Sequence, residues 1–309
     1  MFTLLDMLNH PDIHVKTYPE LGLAICKYKR NVFYNNTWSP ITMQARGHVY
    51  DMNTGELAIR PFDKVFNLGE NGTGLFYGPT KRILASTKIN GFMGAVTNIK
   101  GVLIFSTTGS LDSDFVFMIK REYVKTFGDK LTEEGYTYLF EVCVPEDPHI
   151  VPETYGLHFL AKRNIKTGEY LYECDKLGLK LDVYEMETMA SLTYLRNTSQ
   201  LEGYMCYDLI DGQLVPIFKV KTQFYLAAKF VSRGNEKKRR NIFNNNVSTV
   251  HVFEDEEMDS LVHFFRKEYT EEEFVKLTEQ ELLVIVRGFL SGLRSETAPD
   301  IVSRDSRIG

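Results

Sequence analysis

The stretch Ser86-Thr-Lys-Ile-Asn-Gly-Phe92 sets a lysine, two residues and a glycine where a strand-like run is ending. Alone, a K-x-x-G pattern is weak evidence, because both residues are common. The plain reading of Lys88 is a solvated surface lysine. The sharper reading is a nucleophile, and it depends on what the rest of the chain places beside it.

The surroundings read as β-structure. Between residues 22 and 225, the segments LGLAICKYK, GHVYDM, GVLIFST, YTYLFEVCV, LHFLAKRN, GYMCYDLI and LVPIFKVK are short, rich in β-branched and aromatic residues, and roughly alternating. Asn53-Thr54-Gly55, Lys166-Thr167-Gly168 and Asp211-Gly212 are turn signals, and YDLIDGQLVPIF reads as a hairpin. Residues 113–127, SDFVFMIKREYVKTF, carry helical spacing. The mixture predicts an α+β fold with antiparallel sheets flanked by helices. RGNEKKRRNIFNNN (233–246) is polar, basic and Asn-rich and reads as a hinge or linker. Beyond it, Met258, Leu261, Val262, Phe265 and Tyr269 form a helical stripe, and Thr270-x-x-Glu273 and Thr278-x-x-Glu281 are capping boxes. The second opens LLVIVRGFLSGL, an apolar helix expected to be buried, with fraying expected past Pro299. Two domains are predicted, 1–240 and a small all-helical 241–309.

Apolar residues at 43% and charged residues at 25% fit a soluble globular protein. The first twenty residues lack the basic region and unbroken apolar run of a signal peptide, and no stretch approaches membrane-span length. Cys26, Cys143, Cys174 and Cys206 are scattered without a C-x-x-C pair, and the seven histidines lack metal-ligand spacing. A reducing cytoplasm is therefore expected, with no membrane partner and no structural metal. The net charge of −5 disfavours nucleic acid only until its distribution is read. Residues 241–309 hold 7 Lys and Arg against 14 Asp and Glu, so the remainder is nearly balanced and can carry a basic groove.

Several polar residues stand out in the strands. Glu141 lies between apolar neighbours in LFEVC, Glu202-Gly203 opens LEGYMCYD, and Lys219 and Lys221 share one face of IFKVKT. Arg46-Gly47 precedes a strand, and Arg60, Lys64, Asn67 and Glu70 crowd IRPFDKVFNLGE. Each is plainly read as a solvated strand face. That reading is weakest for Glu141, where an unpaired buried carboxylate costs several kcal/mol.

Taken in order, TKING, YLFEV, HFLAKRNIKTGEY, EGYMCY and FKVK resemble the motifs of the covalent nucleotidyltransferase superfamily of polynucleotide ligases and RNA-capping enzymes. The flanks ARGHVYD, RPFDKVFNLGE, KRNIKTGEY and FKVKTQFY resemble the RNA ligase 1 family of T-even phages, the tRNA-repair ligases, over roughly residues 25–230. The resemblance implies a nucleotidyltransferase fold and an ATP-dependent RNA ligase. Such an enzyme forms a lysyl-AMP, passes AMP to an RNA 5′-phosphate, and seals to a 3′-hydroxyl. It implies Lys88 as nucleophile and Lys219 and Lys221 as catalytic cations on the α-phosphate. Arg46 and Lys64 would bind the triphosphate, Gly91 would allow close approach of the nucleotide, and Glu141 and Glu202 would accept ribose hydroxyls and hold Mg²⁺ or Mn²⁺. It also implies RNA ends as partners, a nicked tRNA anticodon loop among them, a monomer, and host cytoplasm if the gene is a phage's.

The chain departs from the family pattern at Asn90, usually Asp, at Phe92, usually small and hydroxylated, and at Thr108, where the family carries a lysine. A nucleotide- or RNA-binding protein on a catalytically weakened ligase fold is the alternative. A DNA ligase or GTP-using capping enzyme is disfavoured, because those append a β-barrel where helices are predicted here.

Overall fold

The structure, a computed structural model, describes residues 2–186, 188–232, 234–244 and 256–297. Packing divides the chain into one unit of Met1–Tyr194 with Gly203–Val220 and a second of Leu195–Glu202 with Lys221–Gly309. The expected fraying past Pro299, and Glu254 and Asp255 of the acidic tail, lie outside the described residues.

The first unit is built on three main sheets. One runs β1 (Ile13–Tyr18), β2 (Leu23–Tyr28), β3 (Arg46–Asp51) and β4 (Leu57–Ile59) in that order. The second has the order β10 (Tyr170–Leu171), β9 (Gly156–Asn164), β8 (Tyr136–Cys143), β6 (Phe92–Ile99), β7 (Val102–Ser106). The third has the order β13 (Tyr184–Met186), β5 (Ile83–Lys88), β14 (Gly203–Ile210), β15 (Gln213–Lys221). A ribbon of β11 (Glu173–Cys174) and β12 (Leu179–Lys180) completes them. The predicted hairpin turns at Asp211 and Gly212, both at positive φ (50° and 77°), as a two-residue turn requires. Short helices α1 (Leu4–Asn9), α2 (Arg30–Tyr34) and α3 (Pro40–Gln44) decorate the first sheet's connections. The longer α4 (Asp114–Phe127) follows β7, and α5 (Met189–Thr198) follows β13.

The second sheet is covered on both faces, which is why β8 reads almost continuously apolar. Tyr138, Phe140 and Val142 point to α4, where Val116, Ile119 and Tyr123 meet them at helical spacing. Leu139, with Ala95 and Ala161, faces the other way onto Leu23, Ile25, Val49 and Ile59 of the first sheet. Each such large apolar side chain contributes about 1.5–3 kcal/mol by leaving water. Glu141, two residues past Leu139, is thereby aimed toward the first sheet rather than toward α4.

A polar network crosses between these two sheets. His48 of β3 is 1% exposed, with Nε2 at 3.4 Å from Asp63 Oδ1. Arg163 of β9 donates to Asp63 Oδ2 at 2.6 Å and to the Pro61 carbonyl, and stacks on Tyr170 with 4.5 Å to the ring centroid. Burial would raise the Asp63 pKa, but the Arg163 guanidinium outweighs it and leaves the carboxyl below its ordinary value. Burial pushes His48 down to about 3, so the imidazole stays neutral at neutral pH.

The second unit is helical: α6 (Gln223–Ser232), α7 (Glu236–Phe243), α8 (Glu256–Glu268), α9 (Glu271–Lys276) and α10 (Glu279–Thr297). The expected linker at 233–246 is corrected, because α7 occupies most of it. Asn235 caps α7 by accepting from the Lys238 N–H at 3.0 Å. Arg239 donates to the Val275 carbonyl at 3.1 Å, and Arg240 bridges Glu236, Glu271 and Glu272 at 2.8, 3.1 and 2.6 Å. Two of the basic residues that suggest a solvated linker, Arg239 and Arg240, are in fact engaged with α9. Both capping boxes form, with Thr270 Oγ1 accepting from Glu273 N and Thr278 Oγ1 from Glu281 N. The apolar α10 is buried on one stripe only. Leu282, Val286 and Leu290 are covered, whereas Val284 is 65% exposed. Phe274 is fully buried between Phe265 and Phe243, with centroids at 4.7 and 5.7 Å.

Two outcomes follow. Between pH about 6.5 and 3 the unfolded chain protonates His48 and the folded chain does not, so this group lowers stability as pH falls through that window. His48→Gln is expected to reduce the pH slope of urea-unfolding stability there by about 1.4 kcal/mol per pH unit; an unaltered slope would show that His48 is charged in the fold. Phe274→Ala is expected to cost the helical unit about 3–5 kcal/mol in the same measurement, and a loss below about 1 kcal/mol would contradict the packing described.

Candidate active site

The Lys88 segment lies where the chain leaves one sheet for another. β5 is central in its sheet, and Lys88, its last residue, pairs with Gly203 of β14 while Thr87 pairs with Tyr204. Ser86, on the same strand face as Lys88, shares a 3.0 Å hydrogen bond with the Tyr207 hydroxyl, which fixes the strand's face behind the lysine. Three residues, Ile89 to Gly91, then carry the chain into β6 of the second sheet. Lys88 is half-buried, and its Nζ reaches toward the Ile89 carbonyl at 3.5 Å.

Gly91 has a specific reason to be glycine. A Cβ there would sit 2.9 Å from Cys143 Sγ and still closer to the Val142 carbonyl oxygen. The turn here comes close to β8 itself. In that position the Gly91 N–H donates to Glu141 Oε1 at 3.1 Å. Glu141, paired across the sheet with Met93 and His158, is buried, so this bond offsets part of its desolvation.

Asn90 is buried as well. Its Oδ1 accepts from the Val151 N–H at 3.0 Å, its N–H donates to Glu153 Oε1 at 3.1 Å, and its carbonyl accepts from Cys143 Sγ at 3.7 Å. The amide that departs from the family pattern thus fastens residues 151–153 over the turn.

Arg46 opens β3, and its pKa is lowered by burial, an effect opposed by Tyr28, Glu141, Tyr170 and Asp63. It therefore lies in the field of Glu141, and the structure brings these two expected residues together. Gly47 at φ +89° packs against the backbone of Thr107 and Thr108, with 2.8 Å from a built Cβ to Thr108 Cα. Lys27, paired with Arg46 across β2 and β3, reaches over the neighbouring Gly109. A lysine from another strand thus stands beside the turn in which Thr108 departs from the pattern. Sequence order hides it, because Lys27 lies in an unremarkable KYKR run.

Lys64 stands in an aromatic cage. Its Nζ is 4.9 Å from the centroid of Phe66, 5.0 Å from Trp38 and 5.7 Å from Phe33, and it pairs with Glu70 at 3.5 Å. Burial lowers its pKa, and Glu70 restores part of the shift. Three residues on, Asn67 forms an isolated parallel bridge with Lys219. Lys219 N donates to the Phe66 carbonyl and Leu68 N to the Lys219 carbonyl, each at 2.9 Å. The KVFNLGE and FKVK segments, far apart in sequence, are thus laced together backbone to backbone. Phe218 and Val220 are buried while Lys219 and Lys221 are half-buried, the alternation expected of a one-sided strand. Arg60 is not part of this group. It anchors the turn after β9 through the Ile165 and Lys166 carbonyls.

Glu202 and Lys221 fall in the second unit. There the Thr222 N–H donates to the Glu202 carbonyl at 3.0 Å, and Lys221 Nζ lies 5.3 Å from the Tyr225 ring centroid. Among the described residues no group of three His, Cys, Asp or Glu gathers as a metal cage. A buried carboxylate such as Glu141 still fits Mg²⁺, which binds through one or two carboxylates plus phosphate oxygens. No helix of the described residues is long and apolar enough to cross a membrane.

Comparison with known proteins agrees with this geometry. Residues 44–230 match a family model described as RNA ligase. RNA ligase 1 of bacteriophage TS2126 is 32% identical over 146 residues, 43% of this chain and 37% of that protein. A provisionally named RNA ligase of Thermovibrio ammonificans is 26% identical over 206 residues, 62% of this chain and 54% of that protein. The chain therefore spans about half or less of the curated relatives' length. An archaeal ATP-dependent RNA ligase structure superimposes with a TM-score of 0.53 at 14% identity, covering 95% of this chain and 77% of that one, a likeness of fold. With the motif-bearing strands inside the matched span and laid out as above, the chain belongs to the RNA ligase family.

Proposed function

We propose that this protein is an ATP-dependent RNA ligase that joins 5′-phosphate and 3′-hydroxyl RNA ends through lysyl-AMP and RNA-adenylate intermediates. The observation that carries the reading is the turn from Lys88 to Gly91, which ends a central strand at the lysine and ties the next residues to buried Glu141.

In the first step the Lys88 amine attacks the α-phosphorus of ATP. An N–P bond forms, the bond to the bridging oxygen breaks, and pyrophosphate leaves. The amine must shed its proton first, since only the neutral form is nucleophilic. Lys219 and Lys221 are assigned to the α-phosphate, and Arg46 and Lys64 to the triphosphate. Each would neutralise charge that builds on phosphate oxygens. Gly91 is assigned to the nucleotide side of the turn, and Glu141 and Glu202 to the ribose hydroxyls. A divalent cation, Mg²⁺ or Mn²⁺, held by Glu141 and Glu202 together with phosphate oxygens, would supply further charge neutralisation. AMP then passes to the RNA 5′-phosphate, and the 3′-hydroxyl displaces it with formation of the phosphodiester.

The setting proposed is tRNA or RNA repair by a phage-type enzyme in the cytoplasm, acting as a monomer. Residues 1–240 would serve as the adenylyltransferase part and 241–309 would select folded tRNA-like substrates. Because α10 packs on α6 within one unit, deleting 245–309 strips cover from α6 and is a poor test of selection. Comparison of the intact protein on a nicked anticodon stem-loop and on linear single strands is the better one. A clear preference for the stem-loop is expected, and equal sealing would remove the selecting role.

A second reading, a nucleotide- or RNA-binding protein on a weakened ligase fold, draws on the amide at Asn90, usually a carboxylate in the family. Incubation with α-labelled ATP and a divalent cation separates the two. Label surviving denaturation in the wild type, and absent from a folded Lys88→Ala variant, is expected. The variant should still seal pre-adenylylated RNA in part. Undiminished labelling of Lys88→Ala would end the lysyl-AMP assignment, and no labelling of the wild type would favour the binding protein.

A further inference from the structure

Residues 27–38, Lys-Tyr-Lys-Arg-Asn-Val-Phe-Tyr-Asn-Asn-Thr-Trp, are unlike the rest of the first unit's surface. Phe33 is 53% and Tyr34 76% exposed, edge to face with centroids 5.5 Å apart. Burial of aromatic surface is worth several kcal/mol, so two adjacent exposed rings call for a partner. Lys27, Lys29 and Arg30 are exposed beside them, as are Asn35 and Asn36. From Leu21 to Tyr50 the sequence contains Lys27, Lys29, Arg30 and Arg46 and no Asp or Glu. Asp12 reaches this surface through Asn31, its Oδ1 accepting from Asn31 Nδ2 at 2.6 Å, and Lys29 Nζ donates to the Pro11 carbonyl at 2.6 Å.

The surface also leads somewhere. Phe33 is the outer ring of the Lys64 cage, and Lys27 pairs directly with Arg46. A chain lying on Phe33 and Tyr34 therefore runs up to the cations assigned to phosphate. Exposed aromatic faces, cations spaced among them and free amide groups are the chemistry that takes an unpaired nucleic-acid strand. Bases stack on the rings, phosphates meet Lys and Arg, and amides reach base edges. A membrane or an acidic protein would use the charges and the rings as apolar surface, but an unpaired nucleic-acid strand uses rings, cations and amides together.

We infer that residues 27–36 form a landing surface for single-stranded RNA, with bases stacked on Tyr34 and Phe33 and the backbone on Arg30 and Lys27, feeding a strand end to the site. The inference rests on the RNA ligase reading but is tested apart from it. Binding of a short labelled single-stranded RNA is followed by anisotropy without ATP, and lysine labelling by ATP is followed without RNA. Tyr34→Ala, an exposed substitution, is expected to weaken RNA binding about 10-fold, to leave binding of an abasic strand of equal length unchanged, and to leave ATP labelling unchanged. Arg30→Ala is expected to lower the slope of log affinity against log salt by about 0.7. RNA affinity unchanged in both variants would overturn the proposal and leave the rings to a protein partner. Equal losses on base-bearing and abasic strands would overturn the stacking role. Failure of the wild type to label with ATP, with the binding results as expected, would fell the ligase reading alone.

Discussion

The architecture of the site depends on one steric constraint, the passage of the Ile89–Gly91 turn against the backbone of β8. With no Cβ at Gly91, the turn comes close enough for its N–H to reach Glu141, a carboxylate on a different sheet from Lys88. Any side chain there would collide with the Val142 carbonyl and push the two sheets' contributions apart. The lysine and the carboxylate are thus positioned relative to each other in part by a backbone contact. Asn90 adds a second fastening through Val151, so the turn is held from both sides. This bears on its departure from the family pattern. Burial and the Val151 bond give this side chain a structural task that an amide performs without introducing a buried charge.

The alternation of Phe218 and Val220 with Lys219 and Lys221 was legible because a strand writes its two faces directly into its sequence. The capping boxes at Thr270 and Thr278 were legible for a similar reason: donor and acceptor are three residues apart. What escaped sequence reading was made of partners far apart in the chain. The polar run 233–246 offers no apolar stripe, and only the carboxylates of α9 turn Arg240 from a linker residue into a bridge. His48, Asp63 and Arg163 come from three separated segments, and nothing local marks them as mutual neighbours. Lys64 reads as a solvent-facing triphosphate ligand, whereas its aromatic walls are supplied partly by residues thirty positions earlier.

That cage changes what Lys64 can offer. An ammonium surrounded by Phe33, Trp38 and Phe66 has lost much of its water, and burial already lowers its pKa. Its charge is balanced by Glu70 and by ring faces, which take the place of a hydration shell. Asn67, which donates to Glu70 from its N–H and its amide, holds that acid in place and is itself bridged to Lys219. Two cations assigned to phosphate therefore hang from one short segment, and displacement of either would be felt by the other.

The order of strands in the third sheet carries a consequence for how the protein is made. β5 is central there, yet both of its neighbours, β13 and β14, are encoded about a hundred or more residues later. At translation speeds of about 5–20 residues per second, β5 waits on the order of ten seconds with both hydrogen-bonding edges open. A nascent strand in that condition is a template for pairing with the wrong chain. Lys81 and Arg82 at one end of β5 and Lys88 at the other bracket its apolar Ile83 to Ala85 with positive charge. The lysine assigned to chemistry is thus also one of the charges flanking this apolar run, the pattern by which sequences oppose mispairing of an exposed strand.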